Sequence, residues 1–262
     1  NLDIVIAKEL KIKRKEYQND KNSLERAYVY FNALQQAGML EEADLFAKPI
    51  IDNWENIIDD NEWGFWLVNG YADNLIALGK FDDAIQIMDK LTTLGVSQYS
   101  NLINQEINKS MMLLNQGRFE DALQSANLID KKHASDFGNM YVRFIQICAN
   151  HQLGQTETAD KIYTEIQDIA DKNDRALLDI YLCRDDIDKA QSVLLNYFEN
   201  AGKHPQIINM YQDANPSKHL PPFLKRMRDS RRRILNSTLL KTKFSQIGRK
   251  IHINGPEVIW LN

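Results

Sequence analysis

Apolar residues recur along this 262-residue chain in short stripes at helical spacing. After Gly79 they fall at Phe81, Ala84, Ile85, Met88 and Leu91, and after Gly117 at Phe119, Ala122, Leu123, Ala126 and Ile129. After Asp185 they fall at Ile187, Ala190, Val193, Leu194 and Tyr197. Each stripe predicts a helix with one buried face. A further helical stretch precedes each of them. Ser97 is placed to cap the one through Ile103, Ile107, Met111 and Leu114, and Ser135 the one through Tyr141, Phe144 and Cys148. Gly95 and Gly202 sit where helices should stop. Leu2, Val5, Ile6 and Leu10 predict an additional amphipathic helix covering the first of these units. Beyond Gly202, Pro205, Pro216 and the pair Pro221-Pro222 interrupt the pattern, each able to start a helix at its first turn. The tail from Ile251 to Trp260 alternates around Asn254-Gly255 and predicts a hairpin, which must pack on something because an isolated hairpin is marginal in water.

The stripes are joined by a repeated phrase. It is sharpest at Leu78-Gly79-Lys80-Phe81-Asp82-Asp83-Ala84 and Gln116-Gly117-Arg118-Phe119-Glu120-Asp121-Ala122. Looser copies run Ala37 to Ala43, Leu153 to Ala159 and Arg184 to Ala190. The closing alanines are 41, 38, 37 and 31 residues apart. That spacing lies between the ~34 residues of tetratricopeptide repeats and the ~40–47 of HEAT-type repeats.

The phrase itself resembles the middle of a tetratricopeptide repeat, where the first helix ends near a Gly and the second carries an aromatic and then a small Ala. In the best copy the family pattern falls on Val68, Tyr71, Ala72 and Leu75, then on Ala84, Met88 and Leu91. The copies depart from it at named places: Val96 stands for the usual terminal Pro, Thr156 for the aromatic, and Asp185 for the Gly. Pro49 falls inside a second helix and predicts a kink or break there. The resemblance covers roughly residues 22–201. It implies an all-α fold, a right-handed α-solenoid of about five helix–turn–helix repeats. The expected organisation is a capping helix over 1–21, the solenoid over 22–203, a Pro-interrupted basic helical cap over 204–250, and a hairpin tail over 251–262.

Charge divides the chain differently. The net charge is −4, yet residues 218–250 carry 11 Lys/Arg against the single acid Asp229, while residues 1–217 hold 21 Lys/Arg against 34 Asp/Glu. No run of about 18 apolar residues exists, so no membrane insertion is expected within this chain. The chain begins at Asn1 without Met and is read as trimmed or processed. Two cysteines, Cys148 and Cys183, are too few for a disulfide framework and leave cytoplasm and periplasm both open.

Catalytic signatures are missing: no Gly-rich phosphate loop, no His-Glu-x-x-His, no Cys-x-x-Cys and no nucleophile elbow. Cys148 and His151 share a helical face but supply only half a metal site, and are read instead as a small buried thiol and a groove-facing imidazole. No metal or cofactor is expected. Aromatic residues concentrate at Trp54, Trp63, Phe65, Trp66 and Tyr71, most of them as core. In the family register Trp66 faces the concave side with Asn69 and Asp73, and the corresponding positions elsewhere are Tyr28 and Asn32, Asn104 and Met111, and Tyr141 and His151. A wall of amides and aromatics suits a peptide. The expected function is therefore a non-enzymatic scaffold binding a protein or peptide on that wall. Two alternatives stay open. One is the C-terminal sensory or regulatory domain of a larger bacterial signalling protein, on the resemblance of Asp229-Ser230-Arg231 to the Asp-Pro-Arg of such domains. The other is nucleic-acid binding through Lys225, Arg226, Arg228, Arg231, Arg232 and Arg233, which the acidic body and the lack of interleaved aromatics disfavour. An apolar terminal face would also permit a homodimer.

Overall fold

The computed structural model describes residues 2–130, 132–215 and 219–256. It is helical almost throughout. In chain order the helices are α1 (Leu2–Asn19), α2 (Leu24–Gln36), α3 (Leu40–Asp52), α4 (Trp54–Asp59), α5 (Asn61–Ala77), α6 (Phe81–Thr92), α7 (Ile103–Asn115) and α8 (Phe119–Leu128). There follow α9 (Asp136–Gln152), α10 (Thr156–Glu165), α11 (Asp174–Cys183), α12 (Ile187–Glu199), α13 (His204–Tyr211), α14 (Pro222–Leu235) and α15 (Thr238–Ile247). Two short strands, β1 (Asp213–Asn215) and β2 (His252–Pro256), pair with each other.

All five copies of the phrase lie at a turn between two helices, and all five turns have the same geometry. The residue at Gly38, Gly79, Gly117, Gly154 and Asp185 has positive φ, between 57° and 80°. Its N–H donates to a carbonyl three residues back at 2.9–3.3 Å, and the next N–H donates five residues back at 2.8–3.0 Å. These two bonds satisfy carbonyls that the helix end would leave unpaired. The residue after the turn then begins the second helix, accepting from the N–H of the closing Ala at 2.9–3.1 Å. Ala43, Ala84, Ala122, Ala159 and Ala190 are all completely buried. A short link of this kind forces its two helices to pack on each other, and a methyl side chain lets them approach closely.

The chain divides into two compact units. The division falls between Gln105 and Glu106, inside α7, and recurs at Asp213/Ala214, Leu220/Pro221 and His252/Ile253. In the first unit α5 is central, packing on α2, α3, α4 and α6. Phe31, Ile57, Phe65, Leu67, Met88 and Leu91 fill the space between them. Asn74 and Gln35 are buried there as well. Gln35 donates to the Gly70 carbonyl (3.2 Å) and Asn74 to the Leu40 carbonyl (2.9 Å), so the amides bind α2, α5 and the start of α3 together. Asp44 accepts from Tyr71 (2.8 Å) and from Lys80 (2.6 Å), tying α3 to both sides of the next turn. Burial alone would raise the Asp44 carboxyl, but the hydrogen bonds from Lys80 and Tyr71 outweigh it and hold it below its ordinary value.

In the second unit α9 packs on α8, α10 and α11, and α11 on α12 and α14; α15 packs on α12, α13 and α14. Cys148 of α9 and Cys183 of α11 form a disulfide, with Cα atoms 5.9 Å apart and both residues completely buried. The sequence expectation of a buried free thiol at Cys148 is thus corrected: stacking of α9 on α11 brings together two residues 35 apart in the chain.

Local expectations are met unevenly. Ser135 caps α9, accepting from Gly138 N–H at 3.2 Å, but Ser97 caps nothing, because a 3₁₀ turn at Ser100–Leu102 intervenes before α7. Pro49 is accommodated inside α3, and the break comes later, at Asn53. α1 forms and packs on α2, yet Val5 is 62% exposed; the packing comes from Tyr17, whose ring meets Tyr30 and Phe46. The hairpin expected at Asn254-Gly255 is not a turn. Those residues lie within β2, which pairs with β1 far upstream, and Ile251 N–H is anchored on the Gln212 side chain at 2.8 Å. Residues 257–262 of that expected hairpin lie outside the described residues.

Asp185 is the one non-glycine at positive φ among the described residues. Asp185→Gly should stabilise the protein by about 1 kcal/mol by removing the clash of its Cβ in the left-handed region. The Asp185–Arg226 pair that this sacrifices is long (3.7 Å) and exposed, so it offsets little. Thermal unfolding should show a rise of about 2–4 °C; an unchanged or lower midpoint would contradict the strain. The disulfide closes a long loop, so Cys148→Ser/Cys183→Ser should cost about 2–4 kcal/mol. Denaturant unfolding of the double variant checks this, and equal stability would show that helix packing alone holds α9 on α11.

Candidate functional site

The face of interest in the first unit is built by α2 and α5. On α5, Trp66, Asn69, Gly70 and Asp73 are spaced i, i+3, i+4 and i+7, which places them in one stripe. On α2, Tyr28 and Asn32 are one turn apart. The two stripes come together because Gly70 has no side chain. A Cβ at that position would lie 3.1 Å from the Phe31 ring and 3.8 Å from the Asn32 amide oxygen. A Cβ at Gly70 would crowd the Phe31 ring and force it to give way by a few tenths of an ångström.

Trp66, Tyr28, Asn32 and Asp73 are half-buried as residues, the Asp73 carboxyl itself lying inside, whereas Asn69 is buried and has an interaction of its own. The Tyr28 ring rests on Trp63 at 5.7 Å, so a second indole supports it. Trp54 lies under the Lys90 ammonium at 3.9 Å from its ring centroid, away from the stripe. Burial pushes the Asp73 carboxyl up to about 7, so near neutrality it is divided between charged and neutral forms.

Asn104 is exposed at the start of α7. In the second unit Met111 and Tyr141 are buried core rather than open wall, which corrects their assignment to a groove surface. Tyr141 packs edge-on against Phe137 (5.5 Å), and burial raises its phenol, with the Asp179 carboxylate adding to the effect. His151 is half-buried at the end of α9, and its Nδ1 is buried without a hydrogen-bond partner. The Cys148 sulfur beside it in sequence is occupied by the disulfide and is not available as a ligand. Among the described residues no group of three or more His, Cys, Asp or Glu is placed to hold a metal ion.

Sequence reasoning missed a polar cluster next to Tyr141. Arg175 donates to Asp179 at 3.2 Å, one turn along α11, and the buried Tyr197 lies close enough for both charges to bear on its phenol. Opposite charges at i and i+4 were the available signal, but that spacing is as common on plain solvated faces.

The basic stretch is largely engaged in packing. Arg226 reaches the Cys183 carbonyl (3.5 Å) and Asp185 (3.7 Å) and covers the Phe223 ring at 5.3 Å. Arg228 is buried against Asp229 at 3.3 Å. Phe223 meets Phe119 edge-on at 5.4 Å, so α14 seals the turn side of this unit. Arg231 and Arg232 are half-buried with interactions of their own; Lys225 and Arg233 are exposed. Half the expected basic patch is therefore structural, because its stems lie on apolar surface and its charges meet acids and carbonyls.

No helix of the described residues is long and apolar enough to cross a membrane. No family model, curated protein or solved structure matches the chain.

The raised Asp73 carboxyl has a definite consequence for stability. The folded chain holds this proton between about pH 4, where an unfolded Asp titrates, and about 7, so its contribution is lost as pH rises through 7. Asp73→Asn abolishes that loss. Its unfolding midpoint relative to wild type should rise between pH 5 and pH 8; the same offset at both would mean the carboxyl is not desolvated.

Proposed function

We propose that this chain is a tetratricopeptide-like α-solenoid of five helix–turn–helix repeats, a non-enzymatic scaffold that holds a protein or peptide partner on the α2/α5 face. The observation carrying this reading is the identity of the five turns: one left-handed residue, the same pair of capping hydrogen bonds and one fully buried Ala each. Units of this kind cannot bury their apolar faces alone, and stacking them presents the first helices along one side. On α2 and α5 that side offers a half-buried indole and phenol for contact area, an amide that hydrogen-bonds extended backbone, and the Asp73 carboxyl.

A second reading has its own support. A buried disulfide is uncommon in a reducing cytoplasm, and Cys148–Cys183 supports an oxidising compartment such as the periplasm. That setting fits a sensory or regulatory domain of a larger bacterial signalling protein, with partner binding as its input. The sequence upstream of Asn1 in the gene distinguishes the two.

Screening the immobilised chain against a peptide library tests the binding face. Peptides retained by wild type should lose about 2 kcal/mol of affinity on Trp66→Ala, the scale of an interface hot spot, and should keep their affinity on substitution of exposed Asn104. Equal retention by wild type and Trp66→Ala would remove the α2/α5 face from the function.

A further inference from the structure

The face that α2 and α5 build has a fixed order of chemistry along it. Between Gly64 and Leu75, the residues of α5 that are not buried are Trp66, Gly70 and Asp73. α2 runs beside them in parallel: Tyr28 rests on Trp63 (5.7 Å), Phe31 and Asn32 lie against Gly70, and Gln35 reaches Asn74 at 3.5 Å. Aromatic surface therefore lies toward the start of the two helices, the Asn32 amide at the middle, and Asp73 toward their ends. Trp66 and Asp73 are two helical turns apart, a rise of about 10 Å. Three residues of extended chain span that distance at about 3.3 Å each.

The charge on these helices has one sign. α5 contains no Lys or Arg. The single cation of α2, Arg26, is turned toward α1, where it donates to the Glu16 carbonyl at 3.2 Å. Acids, in contrast, stand on the stripes themselves: exposed Glu25 one turn before Tyr28, exposed Glu62 one turn before Trp66, and Asp73. Asp73 differs from the two glutamates. Its carboxyl lies inside, burial alone acts on its ionisation, and no described residue gives it a hydrogen bond or an ion pair. A carboxylate held in that way is costly, and a cation brought by a ligand would relieve it. Among the described residues Trp66 likewise has no ring or cation on it, whereas Trp54 already carries the Lys90 ammonium. An indole attracts apolar and cationic side chains alike, and the acid selects the cationic ones.

Given the scaffold function already proposed for the α2/α5 face, we propose that its occupant is a basic peptide, an extended segment whose Lys or Arg side chain seats on Asp73. Short peptides arrayed in basic, neutral and acidic sets are the probes. They are incubated with the full chain at pH 8, where Asp73 is charged, and at about 0.15 M salt, which screens distant charges. The basic set should be retained. By fluorescence anisotropy, Asp73→Asn should weaken a retained peptide about tenfold, the loss of one charge-assisted hydrogen bond. It should not further weaken a version of that peptide with Lys and Arg replaced by Gln. Glu62→Lys, at an exposed position on the face, should also weaken the basic peptide and keeps the test decisive even if Asp73→Asn fails to fold. Glu120→Lys, the same reversal at an exposed position on α8, should leave binding unchanged. Retention of neutral or acidic peptides that are lost on Trp66→Ala would keep the binding face and overturn its basic ligand. Undiminished binding by folded Asp73→Asn, or equal losses on Glu62→Lys and Glu120→Lys, would overturn the seat at Asp73. Retention of no peptide would overturn both the ligand and the binding face.

Discussion

The structure depends on a single backbone constraint, a left-handed residue at the end of each first helix. With φ between 57° and 80° there, the N–H groups of that residue and of the next turn back onto the helix they have left, and the chain is redirected at once into the second helix. The buried Ala five residues on follows from that redirection, since two helices joined so tightly have no room for a larger side chain at their crossing. Four of the five positions use Gly, which bears this conformation without a Cβ clash; the fifth uses Asp, among the few other residues that tolerate it.

Polar side chains then set how neighbouring pairs meet. In the first unit Asn74, Gln35 and Asp44 are spent on carbonyls, a phenol and an ammonium across the helix boundaries. An unpaired buried amide is costly, so these contacts select one packing arrangement over others that bury similar apolar area. In the second unit the Cys148–Cys183 bond joins two first helices covalently, and Arg226 lies on the same turn through the Cys183 carbonyl. Arg226 and Arg228 of the basic C-terminal stretch are thereby engaged in packing, while Arg232, Lys241 and Lys250 line one cavity.

On the proposed partner face, the same economy of space matters. Gly70 lets α2 approach α5 closely, with Phe31 and Asn32 of α2 against it. The same burial leaves Asp73 reluctant to ionise, so any partner contact through it responds to pH near neutrality. Met111 and Tyr141, expected on the same kind of face, are buried instead.

Much of the fold was legible in the linear sequence, because the information is local. Turn chemistry at Gly38, Gly79, Gly117, Gly154 and Asp185, the closing alanines and the stripes on α6, α8 and α12 are set by residues a few positions apart. The cap at Ser135 and the helical character of the segment after Pro222, though not its division into two helices, were legible for the same reason. Tertiary packing alone decided the rest. It joined Cys148 to Cys183, paired β2 with β1 instead of folding the tail at Asn254-Gly255, and buried Tyr141 and Met111. It also gathered Arg232, Lys241 and Lys250 around one space. Each of these outcomes rests on how helices stack, and periodicity reports which face of a helix is apolar but not which neighbour will cover it.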